Sequence, residues 1–138
     1  MARIKTRTTY LQMFGPPERE VSRPRADLRI RHESAPALER YRDIYRQVGA
    51  DLYWVDRLVM PDEQLRSILA DPRVDLFVLL AGGREAGFVE LDRRQAEEVE
   101  IAYFGLLPDY IGQGLGKYFL NWALRTAWSY QPRRVWVH

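Results

Sequence analysis

The chain has 138 residues, the length of one domain, with 46% apolar and 29% charged residues. At that size roughly 70% of the unfolded surface can be buried, so a core forms without staples. The lack of cysteine excludes disulfides, a thiolate nucleophile and Cys-ligated metal clusters, and two histidines, His32 and His138, argue against a His-rich metal site.

The longest apolar run, Leu76 to Ala81, is far short of a membrane span. The N-terminus carries Arg3, Lys5 and Arg7 without an apolar h-region, so it does not read as a secretory signal. A basic, acid-free start also fits a transit peptide; a cytoplasmic location is the expectation. Net charge is +2 but uneven. Through Arg31 there are eight basic residues against three acidic ones, and the remainder is mildly acidic. A basic arm of this kind can touch nucleic acid. With only Tyr10 and Phe14 as aromatics it offers little for base stacking, and a solvated leader is the plainer reading. Nucleic acid and membrane are therefore not the expected partners.

The predicted elements follow in order. Thr6 to Met13 is rich in β-formers and predicts a short strand. Phe14 to Ala26 holds Gly15, Pro16, Pro17 and Pro24 and reads as a connector. Residues 1–26 are thus a basic extension, and the domain proper is 27–138. Asp27 to Glu33 alternates as a strand. Ser34 is placed to cap a helix carrying Leu38, Tyr41, Ile44, Tyr45 and Val48, with Pro36 in its first turn and Gly49 as its stop. A second helix starts at Pro61 with Asp62 and Glu63, carries Leu65, Ile68 and Leu69, and ends at Asp71-Pro72.

Three strands come next. Val74 to Ala81 is nearly all apolar, as in a strand covered on both faces. Gly82-Gly83 signals a hairpin to Glu85–Leu91. After a polar turn, Glu98 to Leu106 puts Val99, Ile101 and Tyr103 on one face, with Glu98, Glu100, Ala102 and Phe104 on the other. A helix from about Gly114 to Tyr130 presents Leu115, Phe119, Trp122, Ala123 and Thr126 to the core. Pro132 breaks it, and Val135 to His138 begins a strand.

Gly112, Gly114 and Gly116 open that long helix. Glycine lets a ligand approach the backbone N–H groups, which are unpaired in a first helical turn. With the positive end of the helix dipole they suit a phosphate. The plain alternative is a tight strand-to-helix turn. A P-loop would need Ser or Thr where Tyr118 stands. A dinucleotide fingerprint would need different glycine spacing, directly after a parallel strand.

The stretch from Val99 to Gly116, VEIAYFGLLPDYIGQGLG, resembles the acetyl-CoA motif of the GNAT N-acetyltransferase superfamily. That motif runs strand, turn, Arg/Gln-x-x-Gly-x-Gly/Ala, helix. The order of elements from Asp27 onward resembles the family fold too. Thr9 to Met13 looks like the N-terminal extension of a bacterial branch. The resemblance implies an α/β protein of the α+β type: a mixed central sheet flanked by helices, ending after the fifth core strand. The first motif position falls on Ile111 rather than Arg or Gln. The family's last helix and strands, which often supply a tyrosine as general acid, lie beyond His138. The resemblance therefore leaves an open parallel edge: either the product is truncated, or a homodimer or partner chain completes the fold.

It also implies a chemistry. An amine attacks the thioester of acetyl-CoA, the co-substrate. The diphosphate is expected on Gly112, Gln113, Gly114, Leu115, Gly116 and Lys117, and the pantetheine arm beside Phe104, Gly105, Leu106 and Leu107. Leu106 N–H is the expected oxyanion donor. Glu100, fourteen residues before Gly114, matches the glutamate base of the histone-acetylating branch. Tyr53, Trp54, Asp56 and Arg57 fall where the fold places its acceptor wall, and aromatics with a carboxylate suit a cationic amine. Their plain reading is core packing beside a surface Asp–Arg pair. Trp122, Trp128 and Trp136 read as core and His32 as solvated. The expected function is acetyl-CoA-dependent N-acetyl transfer to a primary amine. The alternative is a degenerate module that holds acyl-CoA without turning it over.

Overall fold

A computed structural model describes residues 11–137. Arg3, Lys5, Arg7, Tyr10, His138 and the first five residues of the expected Thr6–Met13 strand lie outside them.

The elements are β1 (Leu11–Met13), β2 (Leu28–Glu33), α1 (Leu38–Gly49), α2 (Asp56–Val59), α3 (Asp62–Ala70), β3 (Val74–Ala81), β4 (Arg84–Asp92), β5 (Glu98–Leu106), α4 (Leu115–Ser129) and β6 (Arg134–Val137). They form one mixed sheet in the order β1-β6-β5-β4-β3-β2. Every pair is antiparallel except β5–β6, where α4 makes the crossover.

Two apolar layers hold the sheet. Leu115, Phe119, Ala123 and Ala127 recur every four residues along α4 and pack on Val89, Leu91, Val99, Ile101 and Val135. Ala127, not Thr126, is the fully buried residue of the last turn. On the other face Tyr41, Ile44, Tyr45 and Val48 of α1 and Leu65 and Leu69 of α3 cover Leu76, Val78 and Phe88. The Gly82-Gly83 turn has φ of 58° and 80°. Positive φ at both central residues is what a two-residue hairpin with matching twist requires, and glycine supplies it.

Some expectations needed correction. Ala37, not Ser34, precedes the first turn of α1, without a side-chain cap, and Pro36 lies ahead of the helix. The short α2 has no counterpart among the predicted elements. The β6 edge is not open: β1 pairs with it, Gln12 opposite Trp136 and Met13 opposite Val135. Residues 14–26 then cross the outside of α4 to the far edge of the sheet. Asn121 anchors them, accepting from Val21 N–H at 3.1 Å and donating to Arg19 O at 2.7 Å.

The faces of β5 also differ from strict alternation. Tyr103 pairs with Glu90 but Ile101 pairs with Leu91, so Ala102 is an extra, bulged residue. Val99 and Ile101 face α4, as do Phe104 and Leu106, while Tyr103 turns to α1. His32 is not merely solvated, since its Nε2 sits 3.1 Å from Asp75 Oδ1.

Asp71 ends α3, and its carboxylate accepts from the Arg73 side chain and from Arg73 N–H. These bonds hold its pKa down to about 2, against a usual value near 3.9. A depressed carboxylate adds stability above its unfolded pKa and loses it as pH falls through the folded one. Thermal melts of Asp71→Asn should therefore show a flatter pH dependence than the parent between about pH 4 and pH 2.

Candidate active site

The end of β5 is built on close backbone approaches. A Cβ on Gly87 would lie 2.5 Å from Gly105 O, and one on Gly105 would lie 2.5 Å from Val48 Cγ1. Gly105 thus serves the packing of β5 against α1. Leu107 N–H donates to Ala86 O at 2.8 Å, toward β4. Successive N–H groups of a strand point to opposite edges, so Leu106 N–H faces the β6 side. There the ladder runs only from Glu98↔Arg134 to Ile101↔Val137. Among the described residues, Ala102–Leu106 have no β6 partner.

After β5, a 3₁₀ turn at Pro108–Tyr110 leads into the glycines, and Gln113 Nε2 braces it by donating to Asp109 O at 2.9 Å. Gly112 and Gly114 have φ of 84° and 79°, a region in which β-branched residues are strained. A Cβ at either would meet nothing within 4 Å. The conformation, not crowding by the protein, demands these glycines. Gly114 precedes α4 without a side-chain cap, and no acidic residue stands in the first turn. Leu115 is buried and anchors the turn, while Gln113 and Lys117 are exposed. Gly116 lies over Leu106, and Phe104 packs on Phe119 with centroids 5.4 Å apart. The result is an open turn at the positive end of the α4 dipole, beside a strand edge that has no partner among the described residues.

Glu100 lies at the other end of β5, half-buried, opposite Asp92 and Trp136. It lines a cavity of about 190 Å³ with Asp92, Arg94, Gln95, Glu98 and Trp136. Asp92 is bonded by Arg94 at 2.7 Å, and Glu98 is 3.5 Å from Arg134. The Arg134 guanidinium lies 5.2 Å from the Trp136 ring centre. Trp136 is thus a wall of this cavity, whereas Trp122 and Trp128 pack on the core. Six residues of strand separate Glu100 from Leu106, about 20 Å. The two cannot act on the same carbonyl, so the expected pairing of Glu100 as base with Leu106 as oxyanion donor does not hold geometrically.

The expected acceptor cluster divides. Tyr53 is 89% exposed at φ 58°, and Asp56 is exposed as well. Trp54 inserts among Tyr45, Tyr103 and Phe88. Arg57 is buried and pairs with Glu90, its Nη2 2.8 Å from Oε2. Tyr41 donates to the other Glu90 oxygen at 2.5 Å. Burial pushes the Glu90 carboxyl up, with Arg57 and the Tyr41 bond opposing it. Burial, then the Glu90 charge, pushes the Tyr41 hydroxyl far up. Sequence reasoning missed Glu90, although a carboxylate flanked by Phe88, Val89 and Leu91 was the available signal.

Among the described residues no group of three His, Asp or Glu is placed to hold a metal, and no helix is long and apolar enough to cross a membrane. The family model described as "Acetyltransferase (GNAT) family" matches residues 37–138. An uncharacterised N-acetyltransferase of Mycobacterium bovis is 33% identical over 69 residues, which are 50% of this chain and 44% of that protein. The match thus spans less than half of that relative's length. An aminoglycoside acetyltransferase from an uncultured soil metagenomic sample, solved with sisomicin, superposes with a TM-score of 0.62 at 17% identity, over 81% of this chain and 77% of its own. The PaiA N-acetyltransferase of Thermoplasma acidophilum, solved with coenzyme A, gives 0.57 at 21% identity, over 76% and 74%. At these identities the two structures speak for the fold alone. The fold is the α/β GNAT type, and the family model covers most of the sequence: the chain belongs to the acetyltransferase (GNAT) family.

Proposed function

We propose that the protein transfers an acetyl group from acetyl-CoA to a primary amine by direct attack. The observation that carries this reading is the uncapped, acid-free start of α4, opened by two positive-φ glycines, next to the stretch Ala102–Leu106 of β5, which has no β6 partner among the described residues. The diphosphate would sit on the N–H groups from Gly112 to Lys117. The peptide-like pantetheine arm would bond the β5 edge as an added strand, taking Leu106 N–H on the way.

The amine lone pair attacks the thioester carbonyl carbon, a C–N bond forms and the C–S bond breaks. Glu100 takes the proton from nitrogen, directly or through a water in its cavity. The thiolate leaves and is protonated. The oxyanion donor must belong to the Glu100 end of the edge, where the bulge at Ala102 takes a main-chain N–H out of the β4 register. Leu106 N–H is left to orient the arm. Tyr53 and Asp56, both exposed, are the acceptor-wall residues that a substrate can reach, with Trp54 and Arg57 supporting them from below.

Titration calorimetry with coenzyme A, followed by thiol-release assays with acetyl-CoA and a panel of amines, tests the reading. Heat and turnover are expected; a lack of heat with folded protein refutes it. Ile111, neutral and 66% exposed at the first motif position, favours the second reading, an acyl-CoA-binding module without turnover. Heat without thiol release on any amine would select that one.

Gly114→Val is expected to weaken coenzyme A at least tenfold. The new side chain enters the open space above the turn and strains a φ of 79°. Calorimetry on the folded variant checks this.

A further inference from the structure

The glycine loop is short of positive charge for the ligand proposed above. From Leu107 to Lys117 it carries one cation, Lys117, and one carboxylate, Asp109. Coenzyme A brings a diphosphate and a 3′-phosphate, the latter carrying about −1.5 to −2 charges at neutral pH. The basic N-terminal segment, meanwhile, has no role in the mechanism, yet it is anchored on α4.

Its path ends at the same end of the sheet as the loop. After the Asn121 anchor at Arg19 and Val21, the chain reaches Asp27, whose O accepts from Gly82 N–H at 3.2 Å. Gly82 lies in the β3–β4 hairpin. Because β4 runs antiparallel to β5, that hairpin is at the same end of the sheet as Leu106 and the glycine turn. Arg23 and Arg25 lie in the segment between the Asn121 anchor on α4 and this hairpin. Asp27 holds the Arg25 guanidinium by Nε at 2.9 Å and Nη2 at 2.6 Å. This fixes the fork while leaving its Nη1–Nη2 edge for a second bidentate partner. Arg23 Nη1 donates to Leu28 O at 3.3 Å. Both arginines are ordered before any ligand arrives, which lowers the entropy cost of binding. The exposed Arg25–Asp27 pair adds little to stability, so stability does not account for it.

We propose that Arg23 and Arg25 form a cationic strap beside the glycine loop that contacts a phosphate of coenzyme A. The inference rests on acetyl-CoA being the co-substrate. Calorimetry compares the parent, Arg23→Gln/Arg25→Gln and Arg66→Gln, each with coenzyme A and with 3′-dephospho-coenzyme A. Arg66 lies on α3, across the sheet, and controls for overall charge. The double variant is expected to keep its melting temperature and to bind coenzyme A about tenfold more weakly, as loss of a charged hydrogen bond would produce. The Arg66 variant should match the parent. A difference that vanishes with the dephospho compound assigns the strap to the 3′-phosphate; one that persists assigns it to the diphosphate. Binding by the parent with equal affinity in the double variant overturns the strap alone, as does an equal loss in the Arg66 variant. No binding by the parent overturns both the strap and the proposed function.

Discussion

Glu100→Gln is expected to lower acetyl-transfer kcat by about 10²-fold or more, the usual contribution of a general base. Glutamine keeps the size and one acceptor oxygen of the side chain that lines the 190 Å³ cavity with Asp92 and Trp136. It cannot take a proton from the attacking amine. The affinity for coenzyme A should not change, because the phosphate-binding turn starts beyond Leu106, about 20 Å along the strand. The pH profile separates chemistry from packing. In the parent, kcat/KM should rise with pH as the carboxyl of the free enzyme deprotonates, and the variant should lose that limb. Glu98→Gln is the companion, since Glu98 lines the same cavity but lies against Arg134. Its effect should be much smaller and the acid limb should survive. Unchanged kcat in Glu100→Gln removes this residue from the chemistry and moves the base elsewhere.

The sequence is most informative where structure is local. The apolar run of β3, the Gly-Gly hairpin, the repeat of α4 and the glycines at its start follow from neighbouring residues alone. The candidate site is legible to the same extent: the turn that would hold a phosphate lies within one contiguous stretch. What stays hidden depends on pairing at long range. The Ala102 bulge is a mismatch between strands, invisible to an alternation count, and it turns Tyr103 toward α1. β1 finds β6 from the opposite end of the chain. The Asp56-Arg57 pairing suggested by adjacency gives way to Glu90, 33 residues away. Burial decides that choice, since an exposed carboxylate such as Asp56 gains less from a guanidinium than one at 0% exposure.

Arg57→Ala should cost about 3–5 kcal/mol, because it leaves the Glu90 charge buried without its cation. For a domain of this size that is a loss of about 10 °C or more in Tm. The deficit should depend on pH in a stated direction. Burial already raises the Glu90 carboxyl above its ordinary range, and Arg57 is the main charge holding it down. Without Arg57 the folded state binds the Glu90 proton more tightly than the unfolded chain does. A group with a raised folded pKa favours folding at low pH and loses that benefit as pH rises. The gap between variant and parent should therefore narrow from pH 7 to pH 5. Arg57→Met/Glu90→Leu removes both charges while keeping apolar bulk, and it should recover most of the lost stability. If the double variant is as unstable as Arg57→Ala, the damage comes from the Tyr41 hydroxyl left without its Glu90 acceptor or from lost packing on Tyr41 and Tyr103, whose ring centres lie 6.0 and 5.2 Å from the guanidinium, and not from a stranded charge. The same double variant separates stability from function. Tyr103 adjoins the bulge beside the proposed thioester site, so a folded double variant with weakened acetyl transfer would assign the buried pair to holding that bulge in place.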